Sequence, residues 1–220
     1  SMKKCYLNAG LALDGDAYRV VALDAKGNIV DGDYIMAICA KQMLEESSLG
    51  GNMVVTTVMT NMGFHLAMKD LGIKVLSTQV GDKYVLEEML KTEANLGGEQ
   101  SGHIIFLEHS PAGDGLQTSL KLLEVMQKTG KSLEELAKVM KRLPQVLLNI
   151  KVSNKNGLKE NETVVSAIKE AENDLGERGR VLVRPSGTED LIRVMTESDS
   201  QERAQEVAGR VAEVVEKEFC

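Results

Sequence analysis

The chain has 220 residues, enough for one large domain or two small ones, and its 43% hydrophobic and 27% charged content is that of an ordinary globular protein. A net charge of −7 argues against nucleic acid or an anionic membrane as a general partner, although a local arginine or lysine cluster can still hold a small anion. Aromatic residues make up 3% with no Trp, so the core must rest on Leu, Val, Ile and the 11 Met.

In chain order, residues 9–30 read as two strands joined through the loop DGDAYR, followed by a turn at Gly27-Asn28. Asp33 is placed to cap a helix reaching about Ser47, with Ile35, Ile38, Cys39 and Met43 on one face. NMVVTTVM is a β-branched run and predicts a buried strand. NMGFHLAMKDLG predicts a helix ending at Gly72, IKVLSTQV a strand, and Asp82 to Lys91 a helix with Asp82 as its N-cap. GGEQSGHIIFLE then leads into another strand, and this alternation argues for an α/β layer with a mainly parallel sheet. SPAGDG is a turn before a helix to about Lys128, and Ser132 with Glu135 forms a capping box. Near Pro144 the rhythm changes to β-α-β-β-α, a compact C-terminal α+β unit whose last helix carries Val207, Val211, Val214 and Val215 on one face.

Cys5, Cys39 and Cys220 are odd in number and lack CxxC spacing, which reads as free thiols in a reducing compartment. No apolar run approaches ~18 residues and no signal peptide opens the chain, so a cytoplasmic protein without a membrane partner is expected. Ser1 before Met2 reads as the scar of a cleaved tag, so the chain is expected to be a piece of a longer protein.

Three motifs carry chemistry. In RPSGTE, Arg184 can bind phosphate oxygens through its fork of donors, Ser186 and Thr188 add hydroxyls, and Gly187 lets backbone N–H groups approach an anion. The same residues also read as a hairpin turn with a surface arginine. In GGEQSGH, Glu99 is a strong acceptor and Ser101 both donates and accepts, a pair that suits a sugar diol. That stretch also reads as a plain Gly-rich turn, with His103 either a polar contact or the first residue of a strand. In DGDAYR, Asp14 and Asp16 sit at alternate positions, as a Mg²⁺ site or an acidic turn would have them. An EF-hand is excluded because Arg19 and Ala25 stand where Gly and Glu are required. In VGDKYV, Lys83 can reach an anion, or the segment is only a strand-to-helix junction.

Taken together and in this order, GLALDGDAYR, VVTTVMTNMGF, VGDKYV, NLGGEQSGHIIF, GDGLQTSLKLLEVM and LVRPSGTEDLIRVM resemble segments of the α-D-phosphohexomutases, and Gln100 points to the glucosamine-phosphate branch. The resemblance covers essentially the whole chain and implies the later half of a four-domain enzyme. Residues 1–33 would end the second domain with its metal loop, 34–146 form the third with its sugar-binding loop, and 147–220 form the fourth, which binds phosphate. It implies an isomerase moving phosphate between O6 and O1 of glucosamine through a phosphoserine and a bisphosphorylated intermediate. The phosphoserine lies in a missing N-terminal half of the same protein, so the fragment alone is expected to be inactive. It further implies Mg²⁺ on Asp14 and Asp16, Arg19 as a catalytic residue near the transferring phosphate, and Lys83 as a catalytic-site residue beside the cleft. Glu99, Ser101 and His103 would lie on the sugar, and Arg184, Ser186, Gly187 and Thr188 on the other phosphate. Two departures stand out: Tyr18 where the family pattern has a third carboxylate, and Asp190 where Pro is common. A mutase for another hexose phosphate, or a non-catalytic sugar-phosphate binder with a decayed metal loop, is the alternative.

Overall fold

The computed structural model describes residues 8–220, which fall into two compact units, one ending at Lys141 and the other running Arg142–Cys220. Cys5 and the Ser1-Met2 start lie outside the described residues. Among the described residues no helix is long and apolar enough to cross a membrane.

The first unit opens with a hairpin of β1 (Ala9–Leu13) and β2 (Val20–Asp24), widened by the short β3 (Ile29–Val30). Leu13 lies opposite Val20, so DGDAYR is the hairpin loop. A four-stranded sheet follows in the order β5 (Lys74–Thr78), β4 (Met53–Thr57), β6 (Leu96–Gly98), β7 (Ile104–Phe106). β4 runs parallel to β5 and β6, while β7 turns back antiparallel to β6. The period-two alternation of side chains gives this sheet two apolar faces. Val54 and Ile104 join a core with α1 (Gly32–Glu45), α2 (Met62–Asp70) and α4 (Gly115–Thr129), including Ile35, Phe64, Met68 and Leu122. Val55 and Ile105 face the other way, against Val85 and Met89 of α3 (Asp82–Lys91). The short α5 (Leu133–Leu136) opens on the Ser132–Glu135 capping box, as its sequence predicts.

Two helix starts differ from the sequence expectation. The N-cap of α1 is Asp31, whose carboxylate accepts from the Tyr34 N–H, and Asp33 lies inside the first turn. Both carboxylates precede the same apolar stripe, and only the backbone path decides between them: Asp31 is extended, with ψ −175°. At α3 the cap position is Gly81 with φ +132° and no side-chain cap, and Asp82 is the first helical residue.

The second unit is a three-stranded antiparallel sheet, β8 (Gln145–Lys151), β10 (Leu191–Glu197) and β9 (Arg180–Pro185) in spatial order, packed by α6 (Glu162–Leu175) and α7 (Gln201–Phe219). Val207, Val211 and Val215 recur every fourth residue of α7 and bury against Ile150, Ile192 and Val194. Ser200 caps α7 by accepting the Arg203 N–H at 3.2 Å. Ile192 is fully buried in this core whereas Leu147 of the same sheet is exposed. Ile192→Ala should therefore cost about 2–5 kcal/mol and Leu147→Ala about 0.5 kcal/mol or less. Urea denaturation of the two variants checks this, and equal losses would contradict the assigned core.

Candidate functional site

β7 returns antiparallel to β6 through the tight turn Glu99–Gly102. The Glu99 N–H donates to the His103 carbonyl at 2.9 Å and the Gly102 N–H to the Glu99 carbonyl at 3.0 Å. The turn is then fixed from two sides. The Gly32 N–H, at the start of α1, donates to the Gln100 carbonyl at 3.0 Å, and the Val20 N–H of β2 donates to the Gly102 carbonyl at 3.2 Å. Two glycines make this approach possible. A Cβ on Gly32 would lie 2.2 Å from the Glu99 carbonyl oxygen, and one on Gly102, at φ +93°, would lie 2.1 Å from that of Val20.

Side chains of the other motifs meet this turn. The Gly81 N–H of VGDKYV donates to Glu99 Oε1 at 3.1 Å, which fixes the carboxylate and leaves Oε2 available. Arg19, Asp31, Thr57, Met59, Val80, Glu99, Gln100 and Ser101 line an open pocket of about 510 Å³. Beneath it, the buried Asp33 Oδ2 accepts from the Asn61 N–H at 2.9 Å and from Gln100 Nε2 at 3.1 Å. Asp33 is 1% exposed, and its Oδ1 has no hydrogen-bond partner. Burial raises its carboxyl to about 7, with the Asp31 charge adding to the rise and the Asn61 N–H and Gln100 amide opposing it.

The DGDAYR loop closes on itself. Asp14 Oδ1 accepts from the Arg19 N–H at 3.0 Å and Oδ2 from Arg19 Nη1 at 3.3 Å. The Arg19 N–H is the main cause that holds the Asp14 carboxyl below the usual range. Asp16 is exposed, and among the described residues no three His, Cys, Asp or Glu side chains cluster as a metal centre. Tyr18 is 51% exposed and stacks on His103 with ring centroids 6.4 Å apart.

His103, which the resemblance puts on the sugar, lies just before β7. It is 7% exposed, its Nε2 accepts from the Gly113 N–H at 2.9 Å, and its backbone bridges Arg19. Its Nε2 also lies 3.8 Å from Asp82 Oδ2 at the start of α3. Lys83 is exposed on the first turn of α3, its Nζ 5.1 Å from the Tyr84 ring centroid.

RPSGTE lies in the second unit, between β9 and β10. Arg184 pairs in register with Arg193, whose guanidinium donates to Glu189 at 3.1 Å. Gly187 and Thr188 are exposed, but Ser186 is 3% exposed and its Oγ is buried without a partner. Lys155, which sequence reasoning missed, ties the loop together by donating to the Ser186 and Glu189 carbonyls at 3.0 and 2.8 Å. Its ammonium also stands 3.6 Å from Asp190, whose side chain is 86% exposed, so the charge at that departure is countered. Nothing in the polar run SNKNG marks Lys155 out. Asp33 was visible only as a possible helix cap.

Residues 31–143 match the phosphoglucomutase/phosphomannomutase α/β/α domain III, and residues 147–214 match the C-terminal domain of the same family. The chain belongs to the phosphoglucomutase/phosphomannomutase family. Within it, the chain is 55% identical over 206 residues to a phosphoglucosamine mutase of Corynebacterium jeikeium, covering 94% of this chain and 46% of that protein. It is 51% identical over 210 residues to one of Staphylococcus carnosus, covering 96% and 47%. The chain thus spans about half the length of these relatives. Its fold is similar to Aspergillus fumigatus N-acetylphosphoglucosamine mutase in complex with GlcNAc-6P and magnesium, with TM-score 0.79, 21% identity, and 96% of this chain and 49% of that one covered. A phosphoglucomutase/phosphomannomutase family protein from Burkholderia thailandensis gives TM-score 0.76 at 19% identity, over 98% and 48%.

The carboxyl under the pocket of this family member has a consequence for stability. Between the ordinary value of 3.8 and about 7 the folded chain keeps a proton on Asp33 that the unfolded chain has released. Folded stability from this group is therefore complete below the lower value and is lost as pH rises through the upper one. Asp33→Asn cannot ionise, so the stability of the variant minus that of the wild type should rise steadily across this window. Urea midpoints measured at steps through it check the slope, and a difference that does not change with pH would show an ordinary carboxyl.

Proposed function

We propose that this chain is the C-terminal half of a phosphoglucosamine mutase, which in full-length form interconverts glucosamine 6-phosphate and glucosamine 1-phosphate. The pocket that presents Glu99, Gln100, Ser101 and Arg19 carries this reading, and the identity to named phosphoglucosamine mutases supports it. In the proposed reaction a phosphoserine of the N-terminal half gives its phosphoryl group to O1 of glucosamine 6-phosphate. The bisphosphate then returns its O6 phosphoryl group to the serine and leaves glucosamine 1-phosphate. Such transfer depends on positioning and on stabilising charge. Without that serine the 220-residue chain has no mutase activity of its own.

Each residue of the chain has a part in this reading. Glu99, held through Oε1 by the Gly81 N–H, accepts from a sugar hydroxyl, and Ser101 pairs with the neighbouring one. Arg19 holds oxygens of the transferring phosphoryl group, and Lys83 adds a cation at the start of α3. His103 keeps the turn and the DGDAYR loop in register. In the second unit Arg184, Gly187 and Thr188 take the phosphate that is not being transferred, and the orphaned Ser186 Oγ is a polar atom that this phosphate would satisfy.

Asp14 and Asp16 offer two carboxylates, which fit a magnesium ion that draws its other ligands from phosphate and water and do not fit a cage built by this chain alone. A magnesium ion held by Asp14 and Asp16 would supply Lewis-acid polarisation of the phosphoryl group. The proposed setting is the cytoplasm.

The direct test is NMR titration of the chain with glucosamine 6-phosphate and, separately, glucosamine. Amides of 184–188 and 99–101 should shift with the sugar phosphate, and those of 184–188 should stay still with the free sugar. Equal shifts at 184–188 with both ligands would remove the phosphate assignment.

Tyr18 supports a second reading, a sugar-phosphate binder with a weakened metal loop, because a neutral phenol replaces a charged ligand. In full-length protein, Tyr18→Asp should raise mutase activity at limiting Mg²⁺ by about tenfold or more, equivalent to ~1.4 kcal/mol at the transition state. Equal activity of both forms across a Mg²⁺ series would show that the third carboxylate is dispensable.

A further inference from the structure

Lys155 stands in the link between β8 and α6, and that link is itself anchored. The Asn156 N–H donates to Asn154 Oδ1 at 2.9 Å, and the Val152 N–H donates to the Asp190 carbonyl at 3.1 Å. From there Lys155 Nζ donates to the Ser186 carbonyl at 3.0 Å and to the Glu189 carbonyl at 2.8 Å. Each of these carbonyls shares a planar trans peptide with the N–H of the next residue, and the two groups of such a unit point in opposite directions. With its carbonyl drawn to the ammonium, the Ser186–Gly187 peptide must turn the Gly187 N–H away from Lys155. The Glu189–Asp190 peptide must do the same with the Asp190 N–H. Among the described residues neither N–H donates to a carbonyl, and both residues are exposed. A Cβ on Gly187 would meet nothing within 4 Å, so the loop is open there. The Ser186 Oγ, buried without a partner, adds a hydroxyl that the chain itself does not use. The Asp190 carboxylate is the weaker partner of Lys155: it lies 3.6 Å from Nζ and is 86% exposed, so water screens the attraction.

We infer that Lys155 is the positioning residue of the RPSGTE loop, holding the Ser186 and Glu189 carbonyls so that the Gly187 and Asp190 N–H groups are presented to phosphate oxygens. The inference rests on the phosphate role proposed above for this loop and adds to it two backbone donors and the side chain that aims them. Successive backbone N–H groups turned to one side make an anion-binding concavity. A charged donor on a peptide carbonyl also polarises that peptide and strengthens its N–H as a donor. Lys155 thus acts through two peptide groups, whereas Arg184 meets the anion with its own guanidinium.

The test follows the amide signals of the isotope-labelled 220-residue chain as glucosamine 6-phosphate is added, with glucosamine as the control. In the wild type the Gly187 and Asp190 amide protons should move downfield with the sugar phosphate and stay still with the free sugar. Lys155→Met keeps the apolar stem but donates nothing, so both shifts should vanish and the affinity should fall by about tenfold or more. Lys155→Arg keeps charged donors and should retain both shifts. Lys155→Met combined with Asp190→Asn restores the net charge without restoring the donors, and should bind as weakly as Lys155→Met alone. Recovery of wild-type affinity in that double variant would make Lys155 a mere counter-ion of Asp190 and overturn the inference. A wild type whose residues 184–186 and 188 respond to the sugar phosphate while the Gly187 and Asp190 amides stay still would also overturn it, with the phosphate reading intact and no variant needed. A wild type in which no signal of 184–190 responds would overturn the inference together with the phosphate reading on which it rests.

Discussion

The close approach of the 99–102 turn to the start of α1 and to β2 is the constraint on which the first unit depends. Carbonyls of Gln100 and Gly102 accept from Gly32 and Val20, and neither contact tolerates a Cβ at Gly32 or Gly102. Once the turn is pinned, Glu99 falls beside the Gly81 N–H, Gln100 falls over Asp33, and His103 reaches the Gly113 N–H. Segments far apart in the chain are thereby brought to one pocket by backbone hydrogen bonds, and the side chains inherit their positions from them. A site of this kind is held more firmly than one on a free loop, because each partner is itself anchored in a helix or strand.

Within each unit, charge is arranged in local pairs. Asp14 is engaged by Arg19 through both of its oxygens, and Lys155 offsets Asp190 while donating to two carbonyls of the RPSGTE loop. Ionic neutralisation of the exposed pairs adds little to stability. Its effect is geometric: it ties the DGDAYR loop and the RPSGTE loop to fixed partners. Asp33 is the exception, a buried carboxyl with one oxygen unpartnered. Its other oxygen accepts from the Asn61 N–H and from the Gln100 amide.

The sequence was legible where structure follows from local pattern. The strand runs VVTT and VLVRP, the Val stripe of α7 and the Ser132–Glu135 box each declare their element through periodicity or capping chemistry, and the structure places those elements there. The RPSGTE and GEQSG stretches were legible as tight Gly-containing loops, and the structure places a turn at Glu99–Gly102 and a loop between β9 and β10. The misreadings were tertiary. Asp31 and Asp33 are equally good caps by residue type, and only the path into α1 separates them. Lys155 and the pairing of Asp33 with Gln100 join residues 31 and 67 positions from their partners, a separation at which one sequence carries no local signal.

In the proposed function the pinned turn is the surface that meets a sugar. The most direct measurement is a crystal structure of the chain grown with glucosamine 6-phosphate. It should show sugar hydroxyls within hydrogen-bond distance of Glu99 Oε2 and Ser101 Oγ, with the Gly32–Gln100 and Val20–Gly102 contacts intact. A sugar ring bound away from residues 99–101, or a turn that leaves α1 when the ligand is present, would contradict the account.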